Sequence, residues 1–428
     1  MPIPVPHLTR TAALATGLTL APLAAAQTTV PADPLPRFAA LNAAIDRAIA
    51  EQRIVGTVVL VAHEGRLVYH RAAGLADREA GTPMREDAIF LLASVTKPIV
   101  TVAAMRLVEQ GRLRLDDPVT RWLPDFHPAS RDGSTPVITV HQLLTHSAGL
   151  SYDFMQPAEA PYQQLQISNG LNRPELGLAE NLSRITRAGL IYEPGTAWGY
   201  SMATDVLGAV IEKVSGQSLP EAVATLVTTP LAMHDTAFTV RDPQRLVTHY
   251  GDGEPGKSAP VRMGESATVP FFGAPVSFSP RRILDDRAYA SGGAGMAGTA
   301  ADFLRLAELL QNRGGELLRP ATVADMLRPH VGAHAQTQGP GWGFGYGGAV
   351  LVDPVVAQTP QSAGSMRWGG AYGHNWFIDP RRRLTVVAFT NTTFEGMAGA
   401  YVRDVRDAVY QALTAAGEVA EQIGGVQR

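Results

Sequence analysis

Leu91-Leu92-Ala93-Ser94-Val95-Thr96-Lys97-Pro98 is the most informative stretch of this 428-residue chain. An apolar run meets a serine, and a lysine follows three residues later, just ahead of a proline. Proline is tolerated in the first turn of a helix, where its missing N–H is not needed. Helical periodicity over 94–110, closed by Gly111, therefore puts Ser94 at or near a helix N-terminus, although Pro98 makes Lys97 an awkward α-residue. Residues three apart share a helix face, so Lys97 can reach the Ser94 hydroxyl. Apolar surroundings disfavour an ammonium. A neutral amine can then take the serine proton and make a nucleophile, and the helix dipole favours an oxyanion developing beside it. An ordinary helix start with an exposed lysine has the same pattern. Its weight comes from scarcity, because Lys97, Lys213 and Lys257 are the three lysines among 36 basic residues.

Around this stretch, Phe38, Leu41, Ile45 and Ile49 share one face of a helix over 35–52. Runs at 55–60 and 67–69 read as strands joined by the turn His63-Glu64-Gly65-Arg66. Thr139 caps a short helix stopped by Gly149, and a helix running from Ser201 through Val214 ends at Gly216. Residues 151–195 read as loops with one or two helices. Residues 240–285, rich in Gly, Pro and Ser, read as an extended lid or crossing segment. Thr299 starts a helix over 300–312; β-type runs follow at 342–351, 365–369, 374–379 and 384–390, then a last helix over 397–415. The class is α+β, an antiparallel sheet flanked by helices. Residues 35–100 and 286–420 would share a discontinuous sheet domain, and 101–285 would form a mainly helical insert with lid-like loops. A cleft between two such lobes is a usual place for a site.

Two more segments carry chemistry. Glu193-Pro194-Gly195-Thr196-Ala197-Trp198-Gly199-Tyr200-Ser201 fixes Tyr200 on a short loop before a helix. A phenol held beside a cation can act as general base or proton relay; a half-buried aromatic covering the helix is the commoner fate. Arg367-Trp368-Gly369-Gly370-Ala371-Tyr372-Gly373-His374 is a strand turning Gly-rich, which allows close approach to its backbone N–H groups; a tight sheet bend reads the same way. His374 is near enough to line the cleft, with packing favoured.

In order and context these pieces resemble serine β-lactamase-like hydrolases of the penicillin-recognising superfamily, and within it family VIII carboxylesterases, relatives of class C β-lactamases. Further marks are LVEQGRLRLDDPVTRWLPDF after Lys97, ITVHQLLTHSAGL at 138–150, PLAMHDTAF at 230–238 and GWGFGYGG at 341–348. The resemblance implies an acyl-enzyme on Ser94, a base and relay network of Lys97 and Tyr200, and an oxyanion hole from the backbone N–H groups of Ser94 and Ala371. It implies no cofactor and no metal. Two departures are informative. Tyr200-Ser201-Met202 stands where the β-lactamases have Y-x-N, and Trp368-Gly369-Gly370 stands where they have K-T-G. The cation for a β-lactam carboxylate and the amide-binding Asn are both gone, and Trp offers apolar stacking surface instead. The expected substrate is a small-molecule carboxylic ester with a short to medium acyl chain. Trp368, Gly369, Gly370, Met202 and Tyr152 are expected to touch it. A β-lactamase or D-amino peptide or amide hydrolase on the same fold is the alternative.

Composition agrees with this class. Apolar residues make up 45% and charged residues 18%, enough for a large core. A net charge of −3 gives no pull toward nucleic acid, and Arg381-Arg382-Arg383 reads as a basic hairpin turn. Absence of cysteine removes disulfides and thiol nucleophiles. No G-x-S-x-G elbow occurs, and His141 and His146, five apart, lack zinc-site spacing. Residues 1–26, with Arg10, a small apolar run and Ala24-Ala25-Ala26, read as a signal peptide cleaved near Ala26, so a periplasmic or secreted protein without stable membrane insertion is expected.

Overall fold

The computed structural model describes residues 36–254 and 256–415. The expected leader at 1–26 and residues 416–420 of the expected sheet domain lie outside the described residues. The architecture is built on an eight-stranded antiparallel sheet. Its strands are β1 (Gly56–His63), β2 (Arg66–Asp77), β3 (Thr82–Pro83), β4 (Trp342–Phe344), β5 (Ala349–Leu351), β6 (Met366–Gly370), β7 (His374–Asp379) and β8 (Leu384–Thr390), in the order β4-β5-β6-β7-β8-β1-β2-β3. The N-terminal hairpin thus joins the C-terminal meander through one pairing, β1 with β8, in which Thr57 faces Thr390 and His63 faces Leu384.

β1 and β8 are apolar almost throughout because helices cover both faces. Side chains alternate with a period of two. Val58, Leu60, Val387 and Phe389 point into one core with α2 (Thr96–Glu109) and α4 (Ala300–Gln311). Val59, Val61 and Val386 point into another, under α1 (Ala39–Ala50) and α5 (Ala400–Ala415). Tyr401, Val405, Val409 and Leu413 of α5 meet Leu41 and Ile45 of α1 at the i, i+4 spacing of a helix stripe. Eleven of the fourteen residues of α2 are buried, so it is a core helix and a rigid base for the residues at its start. It packs against α3 (Ala203–Ser215), which ends at Gly216 in the left-handed conformation.

Several local expectations change. The 342–351 run is two strands, β4 and β5, joined by a turn in which Gly347 has φ +91. The last helix is broken at Gly399 into Thr393–Ala398 and α5. There the Glu395 carboxylate accepts from the N–H groups of Ala400 and Tyr401 (3.2 and 2.9 Å) and caps α5. The helix capped by Thr139 spans only Val140–Leu144, and His146 lies beyond it with φ +54, so His141 and His146 do not share a helix. The 240–285 segment is more ordered than its composition suggests. Ala267–Phe271 and Ala274–Phe278 form a hairpin, with Phe272 and Gly273 both at positive φ in its turn. Arg381-Arg382-Arg383 forms the β7–β8 turn as expected, with Arg383 paired to Glu64. Among the described residues, no helix is long and apolar enough to cross a membrane.

Candidate active site

Phe90–Leu91 leads out of a short two-stranded ladder with Ala297–Gly298 and delivers the chain to a 3₁₀ turn, Ala93–Val95, that continues into α2. Ala93, just before Ser94, has φ +45 and no exposed surface. An alanine there carries backbone strain of about 1 kcal/mol, held by the surrounding packing. Lys97 lies one turn on. It is 2% exposed, and its Nζ donates to the carbonyl of Gly293 (2.8 Å) and to Ser94 Oγ (3.3 Å). Tyr200, presented by the loop before α3, shares a 2.6 Å hydrogen bond with Ser94 Oγ. Ser94 and Lys97 of one sequence segment and Tyr200 of another thus meet on one oxygen.

The Tyr200 loop is braced from behind by His146. Its carbonyl accepts from Gly199 N (2.9 Å) and Tyr192 Oη (3.0 Å), and its Nδ1 lies 3.2 Å from Ser201 Oγ. Burial, and then the Lys97 charge, hold the His146 imidazole well below its usual range, so it stays neutral. The Tyr200 ring is wedged between Trp368 (5.2 Å), Tyr152 (5.0 Å) and His146 (5.1 Å between centroids). Lys97 Nζ sits 4.7 Å from the centre of the Tyr200 ring and 5.4 Å from that of Tyr152.

Beneath Lys97 lies Asp205 of α3, 1% exposed. Burial pushes its carboxyl up from the usual range, and the Ser291 hydroxyl and the Lys97 charge act against that rise. Gly293 fits between these groups because it lacks a side chain. A Cβ there would collide with Asp205 Oδ2 and lie 3.2 Å from Tyr152 Oη and 3.4 Å from Lys97 Nζ. In the sequence His146 figures only as a zinc ligand set aside for its spacing, and Asp205 and Gly293 carry no expectation there. The string Ser291-Gly292-Gly293-Ala294-Gly295 was the available signal, since glycines cluster where backbone must approach other groups closely.

Ser94 and Tyr200 open onto a cavity of about 850 Å³, within the range that holds a drug-sized ligand. Trp368, Gly369 and Ala371 form part of its wall, as do Phe154, Trp198 and Phe271. Three other expected contacts are corrected. Met202 is fully buried in the core at the start of α3. Tyr152 lies behind Tyr200, 2% exposed and stacked on Phe154. Gly370 is packed against the Leu92 carbonyl, where no Cβ would fit.

The peptide of Leu91 is held by two imidazoles. Leu91 N–H donates to His249 Nε2 (3.3 Å), and His374 Nε2–H donates to the Leu91 carbonyl (2.8 Å). His374 is therefore a packing residue. Burial, and then the nearby His374, hold His249 down to about 3; burial, opposed by the bond to Leu91, holds His374 down to about 4. In the unfolded chain each histidine takes up a proton near pH 6.5. The unfolded state thus binds more protons below that pH, and stability falls as pH drops from about 6.5 toward 4. His374→Gln removes one such group. Its stability deficit against wild type, measured by urea unfolding, is expected to shrink by about 1.4 kcal/mol per pH unit across that window. A deficit independent of pH would contradict this.

With this geometry established, the comparisons with known proteins are decisive for the family. The family model described as beta-lactamase matches residues 41–411. The chain belongs to the β-lactamase family. A relative in that family, "Esterase EstB" of Burkholderia gladioli, is 51% identical over 376 residues, covering 87% of this chain and 95% of that protein. The solved structure "EstCE1, a hydrolase with promiscuous acyltransferase activity" is 48% identical, with a TM-score of 0.85 over 87% of this chain and 98% of that one. Simvastatin synthase of Aspergillus terreus (LovD6 mutant) shares the β-lactamase fold at 23% identity, with a TM-score of 0.69 over 87% of this chain and 95% of that one. The expected fold class, an antiparallel sheet flanked by helices, is that of these neighbours.

Proposed function

We propose that this protein is an exported serine carboxylesterase that cleaves esters of short to medium acyl chain through an acyl-enzyme on Ser94. The observation that carries the reading is the meeting of Tyr200 Oη (2.6 Å) and Lys97 Nζ (3.3 Å) on Ser94 Oγ at the wall of an aromatic-lined cavity. The names Esterase EstB and EstCE1 hydrolase, borne by relatives near half identity, support the same chemistry.

In the first half-reaction Ser94 Oγ attacks the ester carbonyl carbon while its proton passes into the Tyr200–Lys97 pair. The oxyanion is held by the backbone N–H groups of Ser94 and Ala371. The pair returns the proton to the departing alkoxide, leaving an alcohol and the acyl-serine. In the second half-reaction water attacks the acyl carbon and gives a proton to the same pair, which returns it to Ser94 Oγ as the acyl–Oγ bond breaks and the acid leaves. Trp368, in place of a lysine, makes this wall a stacking surface for apolar groups. The leader-like composition of residues 1–26 supports export.

Side-by-side hydrolysis of p-nitrophenyl butyrate and nitrocefin tests the reading. The expected kcat/KM is at least about a hundredfold higher for the ester, a difference of ~2.7 kcal/mol in transition-state binding. Faster turnover of nitrocefin would replace this reading with the β-lactamase alternative.

A further inference from the structure

The substrate cavity has a strongly basic end. Arg367 of β6, with Arg403 and Arg406 of α5, lines the same cavity as Ser94 and Tyr200, and among the described residues no Asp or Glu lines it. Arg406 is engaged by Asp407 at 2.7 Å. Arg403 is exposed and, among the described residues, makes no ion pair. Arg367 is the more unusual group. Its Nε has no exposed surface and no hydrogen-bond partner among the described residues. Among the described residues it makes no ion pair, and its guanidinium carbon lies 5.7 Å from the centre of the Trp342 ring. Burial, and secondarily the Arg406 charge, pull it down to about 10. A planar arginine fork placed this way is suited to meet an anion. Two other half-buried arginines do have one: Arg53 binds Glu395 and Asp404, and Arg245 binds Asp235 and Asp242, whereas the buried Arg282 donates to the Tyr289 carbonyl instead.

We propose that Arg367, with Arg403 and Arg406, binds a carboxylate carried by the substrate itself. The preferred esters then bear a free carboxylate separated from the scissile ester by a chain of several carbons. Spacing along the sheet fits such a molecule, because Arg367 precedes Ala371 by four residues, about 13 Å of extended strand. Trp368 and Trp342 line the same cavity and offer apolar surface to the chain. The anion is then met by a cation different in position and kind from the lysine that the third motif lacks. This inference rests on the ester-hydrolase reading.

The test compares matched substrates differing only in charge: mono-p-nitrophenyl suberate with its terminal amide, and acetoxyoctanoate with acetoxyoctanamide. In at least one pair the carboxylate compound is expected to have a kcat/KM about tenfold higher, through KM. Arg367→Gln combined with Arg403→Gln should bring that ratio to about one. Because the ratio is taken within one variant, a general loss of activity cancels. Arg403→Gln alone, at an exposed position, should lower it part-way. Suberate itself should raise Tm more than suberamide in wild type and not in the double variant, a readout independent of turnover. Ratios near one in both pairs with no Tm difference, or a preference that survives the substitutions, would overturn the proposal. A wild type that cleaves none of the four esters yet shows the Tm difference would instead overturn the esterase reading and leave the anion subsite standing.

Discussion

Ser94→Ala is expected to lower kcat for p-nitrophenyl butyrate by about 10⁴-fold or more while Tm stays within a few degrees of wild type. Loss of a nucleophile in a serine hydrolase removes the covalent route entirely, and what remains is binding and oxyanion stabilisation. The stability side follows from geometry. Ser94 is only partly buried, and its hydroxyl is bonded to two groups that keep other partners: Lys97 retains the Gly293 carbonyl, and Tyr200 remains wedged among rings. A labelled fluorophosphonate should attach to wild type and not to the variant. Unchanged esterase activity in Ser94→Ala would remove the mechanism altogether.

Lys97→Met carries the second large effect, and here activity and stability both move. Methionine keeps much of the stem volume and removes the charge. Loss of a general acid–base group is worth about 10²- to 10⁴-fold in kcat, and the upper part of that range is expected because no other lysine or histidine touches Ser94 Oγ among the described residues. The cation also faces Asp205, a buried carboxyl whose rise is opposed by the Lys97 charge. Without it, Asp205 has less reason to ionise inside the fold, and its folded pKa climbs further. A carboxyl raised in the folded state is protonated there while the unfolded chain has already released its proton, so stability is lost as pH rises through the raised value. Thermal unfolding of Lys97→Met should therefore show a larger Tm deficit at pH 8 than at pH 5. An equal deficit at both would mean that Asp205 does not sense the lysine.

Much of the site was legible because its chemistry is local. Ser94 and Lys97 are three residues apart, and Tyr200 follows a Pro-Gly turn whose geometry leaves few conformations. The fold was legible where apolar periodicity is long, as in α1, α3 and the β7–β8 meander. What escaped depends on distance in sequence. His146 acts through its carbonyl on Gly199, and Gly293 reaches Lys97 across the fold; neither leaves a mark in a window of neighbours. Met202 was misjudged for a simpler reason. Its position in the second motif suggested a substrate contact, but the start of α3 turns it inward to the core. The 267–278 hairpin was masked by its prolines and by a turn that places Phe272, not a second glycine, at positive φ.

The single pairing that closes the sheet has a consequence for how the chain is made. Thr57 Oγ1 donates to the Phe389 carbonyl across 332 residues of sequence. At roughly 5–20 residues per second on a ribosome, β1 waits on the order of 20–60 seconds before its partner strand exists. During that time a strand of the composition Gly-Thr-Val-Val-Leu-Val-Ala-His stands with one edge open, a ready template for unwanted pairing. Closure of the sheet is thus deferred until β8 has been made. Yield in a cell should then depend on holdase chaperones acting on nascent chains, more than on the stability of the finished protein.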